Sequence, residues 1–113
     1  MLSTAQWSTI RGLVDWLDDE NGCGDHEIAM RLMKITEEAG EVTQAYSGMH
    51  GQNPRKGLTH SQADVADELC DVIVTAAVAL ASLVGNPEGV LTAKLAKIAD
   101  RAALTGQPKA AQR

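Results

Sequence analysis

Apolar residues fall into four stretches at helical spacing, separated by short runs of Gly, Asn and Pro. Ser3, followed three residues later by Gln6, reads as a capping box. Trp7, Ile10, Leu13, Val14 and Leu17 then predict a first helix that ends near Glu20. Asn21, Gly22 and Gly24 break the pattern. Asp25 is the expected N-cap of a second helix whose inward stripe is Ile28, Leu32, Ile35, Ala39, Val42 and Tyr46. Gly48, Gly51, Pro54 and Gly57 punctuate a loop reaching to Thr59, long enough to suggest function or mobility. Ser61 and Asp64 open a third helix that is apolar on nearly every face from Val72 to Val84. A helix apolar all round needs cover, and in a chain this short part of that cover is expected from another chain. Gly85 stops it. Asn86 and Pro87 supply an N-cap and a first-turn proline for a fourth helix with Leu91, Leu95, Ile98 and Ala102 inward.

The pattern predicts an all-α protein, an antiparallel four-helix bundle over residues 1–105, followed by a frayed tail over 106–113. Composition agrees. Aromatics are 3% with no Phe, while Ala, Leu and Glu are plentiful, which favours helices over strands. At 113 residues the chain holds one domain. A net charge of -5 argues against non-specific binding to nucleic acid or to an anionic membrane. The longest apolar run is too short to cross a bilayer, and no signal-peptide pattern opens the chain. Cys23 and Cys70 have no metal-ligand spacing and read as reduced thiols of a cytoplasmic protein.

Chemistry enters through carboxylates. Glu37, Glu38 and Glu41 crowd one surface of the second helix. Such a cluster alone describes many solvated helix faces. On the third helix, however, Glu68 and Asp71 share a narrow sector with Thr75 and Ser82, leading into the most apolar stretch of the chain. If Glu38, Glu41, Glu68 and Asp71 face one another at about 6 Å, each pair repels by roughly 3 kcal/mol at an effective dielectric of about 20. Relief comes from protonation, from pairing with Lys34 or Arg31, or from a divalent cation. An all-carboxylate donor set suits Mg²⁺, with Mn²⁺ as a substitute. The absence of Glu-x-x-His spacing at His26, His50 or His60 argues against iron and zinc.

Lys94, Lys97 and Arg101 form a basic stripe on the fourth helix. Alone it is a solvated edge; beside carboxylate-bound Mg²⁺ it is what a triphosphate needs. Arg55 and Lys56 in the Gly-rich loop are candidates for closing over a ligand. Trp7 and Trp16 stand nine apart, on opposite sides of the first helix, so only one can face a given core. The other is a candidate for stacking on a nucleobase or for a subunit contact. Tyr46 reads as core.

The pattern EExxE, met by Glu37, Glu38 and Glu41, followed after 26 residues by ExxD, met by Glu68 and Asp71, resembles the MazG-like nucleoside triphosphate pyrophosphohydrolases of the all-α NTP pyrophosphatase superfamily. The resemblance runs from about Trp7 to Arg101. It implies a bundle assembling as a homodimer or homotetramer that binds Mg²⁺ and cleaves an NTP or dNTP to the monophosphate and pyrophosphate, clearing unwanted nucleotides. Carried over by position, Glu38, Glu41, Glu68 and Asp71 are metal ligands, and Glu37 holds a further ion or positions the attacking water. Glu37 or Glu41 accepts the proton, and Lys94, Lys97 and Arg101 meet the phosphates. The competing readings are a non-catalytic helical interaction module and a regulatory protein that binds nucleotide without turnover.

Overall fold

The computed structural model describes residues 1–105; the expected tail over 106–113 lies outside the described residues. Four helices are present and, among the described residues, no strand: α1 (Thr4–Asn21), α2 (Asp25–Met49), α3 (Gln62–Leu83) and α4 (Pro87–Thr105). Each start has a local cause. Ser3 and Gln6 close a reciprocal capping box on α1, as Ser61 and Asp64 do on α3. The Asn86 side chain accepts from the Gly89 N–H at 3.1 Å, capping α4 ahead of Pro87. On α2 the cap is Gly24 and not Asp25. Asp25 is the first helical residue and, with Glu27, places negative charge at the positive end of the helix dipole. Gly22, at φ 76°, ends α1 in a conformation open chiefly to glycine.

α2 and α3 run antiparallel. Arg31, near the start of α2, bonds Ser82 near the end of α3, while at the other end the Thr59 N–H donates to the Gly48 carbonyl. α1 lies against α3, where Trp7, Ile10 and Val14 meet Ala77 and Val78 to form the buried core, flanked by Leu2, Leu17, Leu80, Ala81 and Leu91. α4 does not complete an antiparallel four-helix bundle within this chain. The backbone turns by 117° between α3 and α4, and α4 packs only thinly on α3. The extended Val84 and the Asn86-Pro87 step, which bars a helical residue before proline, account for the change of direction.

The face that α2 turns inward differs from the expected stripe. The buried or half-buried line is Arg31, Ile35, Glu38, Val42, Ala45 and Met49, whereas Leu32, Ala39 and Tyr46 are exposed. Tyr46 is 55% exposed and packs edge-on against the His50 ring at 4.6 Å between centroids, so it is not core. The rotation puts two charged residues where Leu32 and Ala39 were expected. What outweighs the lost apolar burial is polar bonding: Arg31 finds partners on three sides, as described below.

Much of the apolar surface is open within one chain. Leu69, Ile73, Val74 and Leu83 of α3, and Val90, Leu95 and Ile98 of α4, are exposed, so α3 is not enclosed here and α4 is buried mainly at its first turn, around Pro87, with Leu91 and Ala102 half-buried beyond it. The radius of gyration is 17.3 Å, against about 13 Å for a compact chain of this length. Among the described residues, no single helix is long and apolar enough to cross a membrane.

Candidate metal centre

Midway along the α2–α3 pair, Glu38 and Glu41 meet Glu68 and Asp71. Each contributes a carboxylate oxygen to a group whose members all lie within 4.8 Å of one another. The antiparallel register sets this up: three-residue spacing puts each pair on one side of its helix, facing the other pair. Glu38 is buried, Glu41 and Glu68 are half-buried, and Asp71 opens the group to solvent. Oε2 of Glu38 and Oε2 of Glu68 are buried without any hydrogen-bond partner. Buried carboxylate oxygens are rarely left so, because removal from water costs several kcal/mol per charge.

One cation answers part of this charge. Lys34 Nζ lies 3.3 Å from Glu38 Oε1 and 4.0 Å from Glu37 Oε2. The bond to Glu38 raises the Lys34 pKa. Arg31, the other expected counter-charge, does not serve the carboxylates. Glu41 is pushed up to about 7 by the hydrogen bond it shares with Glu68, then by the charge of Glu38 and by desolvation. The group therefore holds a proton that free carboxylates would release near 4.5. A carboxyl whose folded pKa is raised contributes stability that is full below the unfolded value and lost as pH climbs through the folded one. In metal-free buffer the melting temperature is thus expected to fall between pH 4.5 and 7. Saturating Mg²⁺ should flatten that limb; an equal slope with and without Mg²⁺ would count against a metal centre.

The donor set fits a hard divalent cation. Mg²⁺ takes oxygen ligands at about 2.1 Å, which places opposite ligands about 4.2 Å apart, slightly closer than the widest separation here. Glu37 is exposed at the rim, outside the four.

The remaining candidates are dispersed. Lys94, Lys97 and Arg101 line a surface hollow on α4 with Asp100 and are not brought to the carboxylates within one chain. Lys56 faces a hollow under the α2–α3 loop, and the Arg55 N–H donates to the Asn53 side chain. Trp7 is 1% exposed in the core, with no face left for a ligand. Trp16 is 59% exposed and borders an apolar slot of about 220 Å³ with Leu13, Leu17, Val74, Thr75 and Lys34. Lys34 joins this slot to the carboxylates, since it also contacts Glu38.

Arg31, expected as a counter-charge to the carboxylates, has a role that sequence reasoning missed, as an anchor between helices. It is buried, with Nε on Glu27 at 2.8 Å, Nη1 on Asp18 at 2.9 Å and on Ser82 at 3.0 Å, and Nη2 on the Gly22 carbonyl at 3.1 Å. The polar line on α3 therefore serves two ends. Glu68 and Asp71 face the carboxylates, while Ser82 accepts from Arg31 and donates to the Val78 carbonyl. The available signal was an Arg seven residues before Glu38, hence on the same face. Comparisons of this chain with known protein families, with curated proteins and with solved structures find no match.

Proposed function

We infer that this protein is a Mg²⁺-dependent nucleoside triphosphate pyrophosphohydrolase of the MazG-like kind, releasing pyrophosphate and a nucleoside monophosphate and removing unwanted nucleotides in the cytoplasm. The observation that carries this reading is the set of four carboxylates with two buried oxygens lacking partners. Glu38, Glu41, Glu68 and Asp71 would hold the ion. When bound, Mg²⁺ supplies charge to neutralise phosphate oxygens. Lys34 orients Glu38 through their ion pair at 3.3 Å. Glu37, at the solvent rim, or Glu41 takes the proton from the attacking water. The apolar slot beside Trp16 offers a planar base a stacking surface next to the carboxylates.

The exposed apolar surfaces of α3 and α4 support assembly as a homodimer or homotetramer. The chain exposes 8259 Å², against about 6,000 Å² for a compact monomer of its mass. The excess is on the scale of an obligate interface. Assembly is also the route by which the basic stripe of one copy would approach the carboxylates of another. Lys97→Ala is then expected to raise KM for the triphosphate about tenfold with little change in kcat, read from initial rates. An unchanged KM would make the stripe a solvated edge.

The same exposed surfaces favour a second reading, a helical interaction module without turnover. Pyrophosphate release from a panel of canonical and modified NTPs and dNTPs, with Mg²⁺ and with EDTA, separates the two. Metal-dependent release that disappears in Glu68→Ala supports the enzyme. Folded protein that releases pyrophosphate from none of them supports the module.

A further inference from the structure

The loop between α2 and α3 is held down on the end of α2. Gly48 sits so close to Thr59 and His60 that a Cβ there would overlap the Thr59 hydroxyl and the His60 ring. The Thr59 N–H bonds the Gly48 carbonyl, and the Lys56 and Gly57 N–H groups both bond the Asn53 carbonyl. Gly51 and Gly57 turn the chain at positive φ. Beneath this loop lies a half-open hollow of about 380 Å³. Its side chains are hydroxyls and amides, together with Lys56 and His60. No carboxylate lines it, although the whole chain carries a net charge of -5. Lys56 has no ion-pair partner among the described residues, and neither do the Gln44 and Gln52 side chains have a hydrogen-bond partner among them.

We propose that this hollow is an oxyanion subsite that holds a phosphate or diphosphate group, with Lys56 supplying the charge and Gln44, Gln52 and Ser47 supplying neutral donors. Each donor type matches a phosphoryl oxygen: an ammonium as a point charge, amide N–H₂ groups and a hydroxyl. Gln44 follows Glu41 by three residues on α2, so the hollow begins one turn beyond the carboxylates. The phosphoryl group would come either from a free anion or from the phosphate tail of a nucleotide.

The test uses the full chain in metal-free buffer, where no turnover enters. Inorganic pyrophosphate and inorganic phosphate are titrated separately, with calorimetry and backbone amide shifts as readouts. The expected result is saturable binding of one or both, with shifts centred on Gln44, Gly57 and Thr59. Affinity should weaken about tenfold in Lys56→Ala and recover in part in Lys56→Arg. Lys56 is exposed, so its replacement leaves the melting temperature unchanged. Absence of binding to both anions, binding unaffected by Lys56→Ala, or shifts centred on Lys94 and Lys97 instead would overturn the proposal. Displacement of the bound anion by a non-hydrolysable triphosphate assigns the hollow to a nucleotide's phosphate tail; failure to displace assigns it to a free anion. Both support the subsite. Because no metal is present, a negative result leaves the metal centre standing, and an enzyme without turnover leaves the subsite standing.

Discussion

Replacing Arg31 with alanine is expected to lower unfolding free energy by about 3–5 kcal/mol, the usual cost of removing one partner from a buried ion pair. In a domain of this size that is a fall in melting temperature of about 10–20 °C. The guanidinium binds Glu27 and Asp18, Ser82 of α3 and the Gly22 carbonyl at the end of α1, so one truncation releases three helices from a common point. Ser82→Ala should cost only about 1 kcal/mol, since it removes a single neutral acceptor. Arg31→Lys should fall between them, because an ammonium cannot reproduce the planar fork. The effect carries a pH signature. Hydrogen bonding from Arg31 is the first cause holding Glu27 below its ordinary value of 4.5, so its contribution is present above that value and lost as pH falls through the depressed one. The difference in melting temperature between wild type and Arg31→Ala should therefore shrink as pH falls below 4.5. A difference that stays constant into acid would mean that packing of the side chain, and not its ion pairs, carries the effect.

The second large effect concerns the carboxylates. Asp71→Asn and Glu38→Gln are each expected to lower kcat for pyrophosphate release by about 10³-fold while leaving the helical circular dichroism spectrum intact. Both changes are isosteric and remove one negative charge from a group crowded within 4.8 Å, so neither disturbs packing. They also relieve repulsion. In metal-free buffer the melting temperature of Glu38→Gln should equal or exceed that of wild type, and the gain should disappear in Mg²⁺, which stabilises only the intact site. Loss of activity accompanied by a lower melting temperature in both buffers would show that Glu38 is needed for the fold. Full turnover in either variant would sink the assignment.

Helix number, the starts of α1, α3 and α4, and the pairing of the two acidic motifs were all legible in the sequence. Each rests on short-range signals such as Ser3 with Gln6, Ser61 with Asp64, Asn86 before Pro87, and carboxylates three residues apart. The inward face of α2 was not legible. Counting apolar residues selects Leu32, Ala39 and Tyr46, whereas the folded chain turns Arg31, Glu38 and Ala45 inward. The cause lies in partners far along the chain: Asp18 and Ser82 satisfy Arg31, and Glu68 and Asp71 meet Glu38. Periodicity registers hydrophobicity and is blind to such pairings. The direction of α4 was equally hidden, because a cap and a proline specify where a helix starts but not where it points.

Arg31 and Glu38 stand seven residues apart on one ridge of α2, about 10.5 Å along its axis. Every nitrogen of the first has a partner in this chain and the second is left with a bare oxygen. α2 thus acts as a ruler between an anchor and the carboxylate cluster. A rigid ruler transmits error: any slackening at Arg31 lets the helix slide or roll, and the four carboxylate oxygens drift out of the narrow range a small cation accepts. Affinity for metal should then decline before the helices melt, so that the thermal limit of the site lies below the thermal limit of the fold.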